Sequence, residues 1–298
     1  MSRLKLLITG AGGLLGSRVA ELAVERGFDV YSTYLSHVPP AGQAIKLNVS
    51  DRGQVLKVVS NIHPDVIVHC AALTNVDLCE EDKDLALRVN VDGTRNIAEA
   101  AKLVNAFLIY ISTDYVFDGE KGLYKEDDAP NPINFYGYSK LLGEEIVKDM
   151  DIEFSILRAS VLYGSRPAGG KTNFALWILS NLSSNREIKV LIDQYTSPTF
   201  NTNLAEVILE CCERRLTGLY HAAGSSRVSR YEFAVELAKT FGLDVSLIKK
   251  IKMSDIAWKA RRPRDSSLDV SKAMAAFKVK LMSLREALSR LREELKYA

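Results

Sequence analysis

At 298 residues, 47% apolar and 26% charged, the chain has the composition of a globular protein of one large or two ordinary domains, which excludes disordered and fibrous classes. Lysine and arginine total 39 against 37 aspartates and glutamates, a net charge of +2, so no global electrostatic case exists for a nucleic-acid or membrane-surface protein. The four cysteines (Cys70, Cys79, Cys211 and Cys212) show no Cys-x-x-Cys spacing and no apolar run approaches the roughly 18 residues of a membrane span, so the expectation is a soluble cytoplasmic chain with reduced thiols and no signal peptide.

The first half alternates short apolar, β-branched runs with helical patterns, the rhythm of βαβ units around a parallel sheet. Strands are expected at 4–9, 29–34, 45–48, 65–70, 106–112 and 152–159, and helices at 14–26, 51–62, 85–104 and 136–148. The runs at 65–70 and 106–112 are apolar throughout their interiors, as strands covered on both faces should be. A loop rich in Gly, Pro, Asn and acidic residues fills 118–134. The second half is less regular, with helices expected from Lys171 to Asn181, 203–215, 229–241 and Ser283 to Tyr297, and strands at 188–192 and 219–222. Ser229 is a fitting N-cap and Gly242 a fitting stop for the third of these helices. The expected fold class is α/β: a Rossmann-like doubly wound parallel sheet with a smaller, interleaved C-terminal substrate subdomain. Residues 1–160 form the expected dinucleotide-binding domain, with elements of 187–217 packed on it, and 161–298 mostly the substrate-binding subdomain.

The first strand runs straight into Gly10-Ala11-Gly12-Gly13-Leu14-Leu15-Gly16. Glycines at 10, 13 and 16 allow a tight turn and close backbone approach to a pyrophosphate, which then sits on a helix N-terminus with Leu14 and Leu15. At the end of the second strand, Tyr31-Ser32-Thr33-Tyr34 lacks the carboxylate that NAD sites place against the ribose 2′-hydroxyl. A 2′-phosphate is not repelled there. The Ser32 and Thr33 hydroxyls are available to it, with Arg18 and His37 as candidate cationic neighbours, so NADP(H) is favoured over NAD(H).

Tyr136 and Lys140 lie four apart on a predicted helix and share one face. An ammonium beside a phenol favours phenolate and draws the tyrosine pKa from about 10 toward neutrality, which suits proton transfer to a carbonyl oxygen during hydride transfer. Tyr138 cannot meet Lys140 in that geometry. The strand ending Ile111-Ser112-Thr113-Asp114 delivers a hydroxyl beside the same place.

These residues resemble the extended short-chain dehydrogenase/reductase family. The segments Ser112 to Gly119 (STDYVFDG), Tyr136 to Lys140 (YGYSK), Asp193 to Thr199 (DQYTSPT), Arg262 to Asp269 (RPRDSSLD) and Ala71 to Asp77 (AALTNVD) resemble the dTDP-4-dehydrorhamnose reductase branch over nearly the whole chain. The resemblance implies a catalytic set of Thr113, Tyr136 and Lys140, with Lys140 also on the nicotinamide ribose. It implies a cofactor groove that includes Asn48, Ala71, Ala72 and Asn90. The implied substrate is a 4-keto-6-deoxyhexose on a nucleoside diphosphate, met by Thr113, Asp114, Tyr115, Val161, Arg262 and Ser266. Seven basic residues against the single acid Asp255 in 249–264 suggest a diphosphate clamp, with Arg262 and Arg264 best placed for bidentate contact.

Two positions depart from that branch. Val161 stands where its reductases often have a tryptophan. Arg18 replaces an acidic residue associated with metal-bridged dimers in some bacterial members, and His37, His63, His69 and His221 are scattered, so no metal is expected. The chain is also similar to the regulatory β subunit of methionine adenosyltransferase, which shares the Tyr-Val-Phe-Asp-Gly, Leu-Tyr-Gly and Arg-Pro-Arg stretches. Under that alternative the partner is the methionine adenosyltransferase catalytic subunit. Thr113 and Ser266 favour the reductase, whereas Val161 and Leu162 favour the subunit. A sugar-nucleotide epimerase or dehydratase, using Asp114, is a third reading, and a homodimer is left open.

Overall fold

The computed structural model describes residues 3–167, 169–170 and 172–296; the predicted helix start at Lys171 and end at Tyr297 lie outside them. The first half supplies β1 (Lys5–Thr9), α1 (Leu14–Glu25), β2 (Asp29–Tyr34), β3 (Gln43–Lys46), α2 (Arg52–Ile62) and β4 (Val66–His69). It continues with α3 (Val76–Glu81), α4 (Lys83–Ala86), a π-helical turn (Leu87–Asp92), α5 (Gly93–Val104), β5 (Phe107–Thr113), α6 (Phe135–Asp149) and β6 (Phe154–Ala159). The second half adds β7 (Leu162–Tyr163), α7 (Phe174–Ser183), β8 (Ile188–Leu191), β9 (Tyr195–Thr196), β10 (Thr199–Phe200), α8 (Asn201–Arg214) and β11 (Gly218–His221). It closes with β12 (Val228–Ser229), α9 (Arg230–Phe241), β13 (Ile248–Ile251), α10 (Ser271–Ala276) and α11 (Leu284–Lys296).

Seven strands form one sheet in the order β11-β6-β5-β4-β1-β2-β3, and every adjacent pair is parallel. Alternate side chains serve opposite faces. Leu6 and Ile8 join the core beneath α1 and α8, whereas Leu7 joins the core beneath α2, α5 and α6. This double cover explains the unbroken apolar runs of β4 and β5. Strand order reverses between β1 and β4, so a crevice opens at the carboxyl ends of these two strands.

A third core gathers Tyr163, Ile178, Val190, Phe233, Leu237 and Leu288 from the second half of the chain. The halves interleave: β11 hydrogen-bonds to the edge of β6, and Leu204, Ile208, Ala273 and Phe277 pack into the core under α1. Two differences from the predicted elements matter. The helix expected over 85–104 is broken by the π-helical turn, and α3, which periodicity did not suggest, precedes it. Asn75 and Asp82 cap α3 and α4 with their side chains, accepting from Leu78 and Leu85 amides, and these caps start helices that apolar spacing alone does not mark.

Candidate active site

At the crevice, Gly10 turns β1 into α1 with φ +65°, and a Cβ there would lie 2.8 Å from the Ala71 Cα. A Cβ at Gly16 would stand 2.4 Å from the Gly10 carbonyl oxygen. These positions accept only glycine without a shift of backbone. Gly13 is the N-cap of α1 and offers no side-chain cap, so the first-turn amides of a 12-residue helix face the crevice as an anion cradle. The cavity in front of it measures about 870 Å³ and runs from Ser36, His37 and Asn48 past the glycine turn, Ala71 and Ala72 to Thr113, Tyr136 and Lys140. A glycine cradle with free amides and a long groove beside it fits a dinucleotide.

Two expectations at the adenosine end are corrected. Ser32 is buried and its hydroxyl donates to the Ala41 carbonyl at 2.7 Å. Thr33 is buried too, and its carbonyl accepts from the Ala11 amide at 2.9 Å. Neither residue lines the groove; Tyr34, Leu35, Ser36 and His37 line it instead. Arg18 faces away, bonding Thr202 and pairing with Glu21 and Glu294. No carboxylate stands at this end of the groove; among its described lining residues the one acid is Asp114, at the far end.

Asn90 sits in the π-helical turn and lies behind the groove wall. Its Oδ1 accepts from the Leu73 amide at 2.7 Å, and its Nδ2 donates to the Leu73 carbonyl at 3.1 Å and to Ser139 Oγ at 2.9 Å. It therefore clamps the loop after β4 to α6. Single π turns of this kind are frequent at functional sites.

Strand β5 ends on Thr113, and α6, capped by Asn134, carries Tyr136 and Lys140 into the cleft while Tyr138 is 44% exposed. Thr113 Oγ1 donates to Asp114 Oδ1 at 3.1 Å and accepts from the Tyr115 amide at 3.2 Å. Burial pushes the Tyr136 phenol above its ordinary value, with a Thr113 hydrogen bond opposing. Burial draws Lys140 down to about 7, against the pull of Glu144 and Cys70, and its Nζ lies 4.0 Å from the Tyr110 ring centre. Desolvation thus works against the phenolate-ammonium pair that helical spacing suggests, since burial disfavours both charged forms.

Asp114 is buried beneath the cleft and accepts from Ser160 at 2.8 Å and Ser266 at 2.5 Å. Burial raises its pKa, and the three hydroxyls oppose that rise. Ser266, expected at the substrate, therefore supports Asp114 from behind. Tyr115 and Val161 do line the cleft, and Val161 holds φ +39°, a strained conformation for a β-branched residue.

Arg262 is the main correction at the substrate end. It pairs with Asp77 at 2.9 Å and donates to the Ala260 carbonyl, away from the groove lining. Within the basic stretch Lys249 pairs with Glu187 and Lys259 with Glu81, and Arg264, like Arg262, does not line the groove. Arg230 is the arginine that lines the cleft among the described residues, and no motif in the sequence singled it out. Its Nε donates to Gln194 Oε1 at 3.1 Å, its guanidinium lies 5.1 Å from the Phe174 ring centre, and among the described residues it has no carboxylate within salt-bridge distance. One signal was legible: an arginine in the first turn of α9, where the helix dipole disfavours a cation, asks for another reason to be there. Among the described residues, no group of three or more His, Cys, Asp or Glu side chains is placed to hold a metal ion, and no helix is long and apolar enough to cross a membrane.

A family model described as RmlD substrate binding domain matches residues 4–297. The chain is 34% identical to dTDP-4-dehydrorhamnose reductase of Aggregatibacter actinomycetemcomitans over 302 residues, covering 97% of this chain and 98% of the relative. It is also 34% identical to methionine adenosyltransferase 2 subunit beta of Bos taurus over 273 residues, 90% of this chain and 81% of that one. The crystal structure of dTDP-4-dehydrorhamnose reductase from Bacillus anthracis in complex with NADP superimposes with a TM-score of 0.89 at 33% identity, over 98% of this chain and all of the other.

Proposed function

The chain belongs to the RmlD substrate-binding-domain family, and on that premise we propose that it is an NADPH-dependent reductase of the 4-keto group of a nucleotide-activated 6-deoxyhexose, converting dTDP-4-dehydro-L-rhamnose to dTDP-L-rhamnose. The observation that carries this reading is one groove that joins an uncapped, glycine-turned helix N-terminus to Thr113, Tyr136 and Lys140. NADPH, when bound, supplies the hydride for the keto carbon. The residues that would hold it are Gly10, Gly13, Leu14, Leu15, Gly16, Asn48, Ala71 and Ala72, with Ser36 and His37 at the ribose 2′-phosphate. The absence of a carboxylate at that end favours NADP(H), with NAD(H) as the alternative.

The phenol of Tyr136 stays protonated in its buried setting and is the group to donate a proton to the carbonyl oxygen as charge develops there. Thr113, its hydroxyl oriented by Asp114 and the Tyr115 amide, braces the phenol from the β5 side. Lys140 is the cation on the same helix face that balances the phenolate left behind. Asp114 has three hydroxyl donors on its carboxylate and so serves orientation better than the proton transfer an epimerase or dehydratase would ask of it. Arg230 takes the role first given to Arg262, a guanidinium for the substrate diphosphate. A cytoplasmic location belongs to the same reading, in keeping with four free cysteines, three of them buried.

The test mixes purified protein with NADPH and dTDP-4-keto-6-deoxyhexose and follows loss of the nicotinamide absorbance. Steady consumption that requires the sugar nucleotide supports the reading; none at any pH between 6 and 9 overturns it. Val161 in the cleft favours the second reading, a regulatory subunit partnered by a methionine adenosyltransferase catalytic chain. That reading requires stable co-purification with the catalytic chain and no heat from dTDP or a dTDP-sugar in calorimetry with NADPH present.

A further inference from the structure

One turn beyond Lys140, α6 carries a buried acid that the reduction scheme leaves unused. Glu144 has no exposed surface. Its Oε1 accepts from Ser112 Oγ at 2.6 Å and from Arg158 Nε at 2.8 Å, and its Oε2 accepts from Arg158 Nη2 at 2.7 Å. Lys148 Nζ stands 3.5 Å from the same Oε2. Arg158, on β6, is 1% exposed, lies 5.0 Å from the Phe117 ring centre and places Nη1 3.4 Å from His221 Nε2. Despite burial, the Arg158 hydrogen bonds and charge hold the Glu144 carboxyl below the usual carboxylate range. A single carboxylate therefore bonds the residue before Thr113 on β5, the catalytic helix and the next strand.

Stability alone is a poor account of such a pair, since apolar side chains of equal volume often serve a core as well or better. The surroundings of Lys140 supply another account. The groups facing it are His69 at the end of β4, Cys70 just after it, Tyr110 on β5 and Glu144 one turn on along α6. His69 is held neutral, the Cys70 thiol is pushed up to about 12, and Tyr110 is raised by burial. Glu144 is the one anion of this set at neutral pH, and Arg158 competes for its charge.

We propose that Glu144 is a positioning residue of the reductase: bonded to Ser112 and held in a bidentate pair by Arg158, it sets the spacing of Thr113 from Tyr136 and places a counter-charge one helical turn from Lys140. The inference rests on the reductase reading. It follows that the two members of the pair act on Lys140 in opposite senses. Removing the acid leaves two buried cations and favours neutral lysine; removing the arginine leaves the acid to Lys140 and Lys148 and favours the ammonium.

The experiment reads Lys140 without turnover. Competitive labelling of its amine by acetic anhydride is followed against pH by peptide mass spectrometry in the wild type, Glu144→Gln, Glu144→Asp and Arg158→Met. The midpoint should fall by about one unit or more in Glu144→Gln, rise in Arg158→Met and stay near the wild type in Glu144→Asp. The kcat–pH profile for NADPH oxidation should shift with it while KM for the sugar nucleotide changes little. Ser112→Ala should lower kcat about tenfold with the labelling midpoint unmoved, which tests the spacing role even where a charge variant does not fold. Midpoints that stay fixed, or that move the same way in Glu144→Gln and Arg158→Met, overturn the proposal. Opposite midpoint shifts in a protein whose wild type never oxidises NADPH sink the reductase reading and leave the charge arrangement standing.

Discussion

Tyr136 and Tyr138 differ by two positions and by everything that surrounds them. Tyr136→Phe removes the proton donor and keeps the ring, so kcat should fall by roughly 10²–10⁴ with little change in NADPH affinity. Tyr138→Phe, at an exposed ring, should leave turnover near the wild type in the same assay. A larger loss from Tyr138→Phe would reverse the assignment. The two arginines offer a similar contrast. Charge-assisted contacts to phosphate contribute about 1.5–3 kcal/mol, so Arg230→Ala should weaken dTDP-sugar binding by roughly 10- to 150-fold in calorimetry. Arg262→Ala should cost much less there, because its partner is Asp77. Ser36 lines the groove where Thr33 does not, so Ser36→Asp should move the cofactor preference from NADPH toward NADH by direct titration. The tyrosine–lysine pair was legible in the sequence because helical spacing alone puts the two side chains on one face. Arg230 was hidden because its neighbours in space, Gln194 and Phe174, are distant in sequence.

Two buried histidines join elements rather than perform chemistry. On β4, His69 Nδ1 accepts from Thr9 Oγ1 at 2.7 Å and Nε2 donates to Thr94 Oγ1 at 3.2 Å, while Thr94 gives its own proton to the Asn90 carbonyl. The chain of donors requires neutral imidazole, and burial, then the charge of Lys140, lowers its pKa to about 3. On β11, His221 donates from Nδ1 to the Asp269 carbonyl, and burial, partly offset by Glu126, lowers its pKa to about 4. Both folded values lie below the unfolded value of about 6.5, so the unfolded chain takes up protons first as pH falls. Stability is fully present above about pH 6.5 and should drop between pH 6.5 and 5 by up to about 1.4 kcal/mol per unit for each histidine. Urea midpoints across that window check this, and His69→Gln should remove about half of the slope. A flat profile would mean that neither ring is held neutral. The π-helical turn belongs to this scale as well: Asn90→Ala strands the Leu73 amide and should cost about 1–3 kcal/mol in urea unfolding.

Across the whole molecule, the groove is closed on one side by the sheet and on the other by residues from the second half, so cofactor binding should be felt globally. NADPH at about 100 times its Kd adds about 2.7 kcal/mol and should raise Tm by roughly 3–5 °C, with NADH at equal concentration giving less; an unchanged Tm would remove the dinucleotide from the account. Legible along the chain was whatever depends on near neighbours in it: the βαβ rhythm of the first half, the glycine turn between β1 and α1, and the shared face of Tyr136 and Lys140. These follow from backbone sterics and from helix and strand periods, which act over a few residues. Which hydroxyls and cations reach the groove was settled by folding alone. Ser32, Ser266 and Arg262 have the right chemistry, yet folding commits them to Ala41, Asp114 and Asp77, and it buries Thr33 outright. Burial then pushes the Tyr136 phenol up and draws Lys140 down, against what helical spacing suggests. A polar group's partner and its dielectric surroundings are set by packing between distant segments, and local spacing carries no record of either.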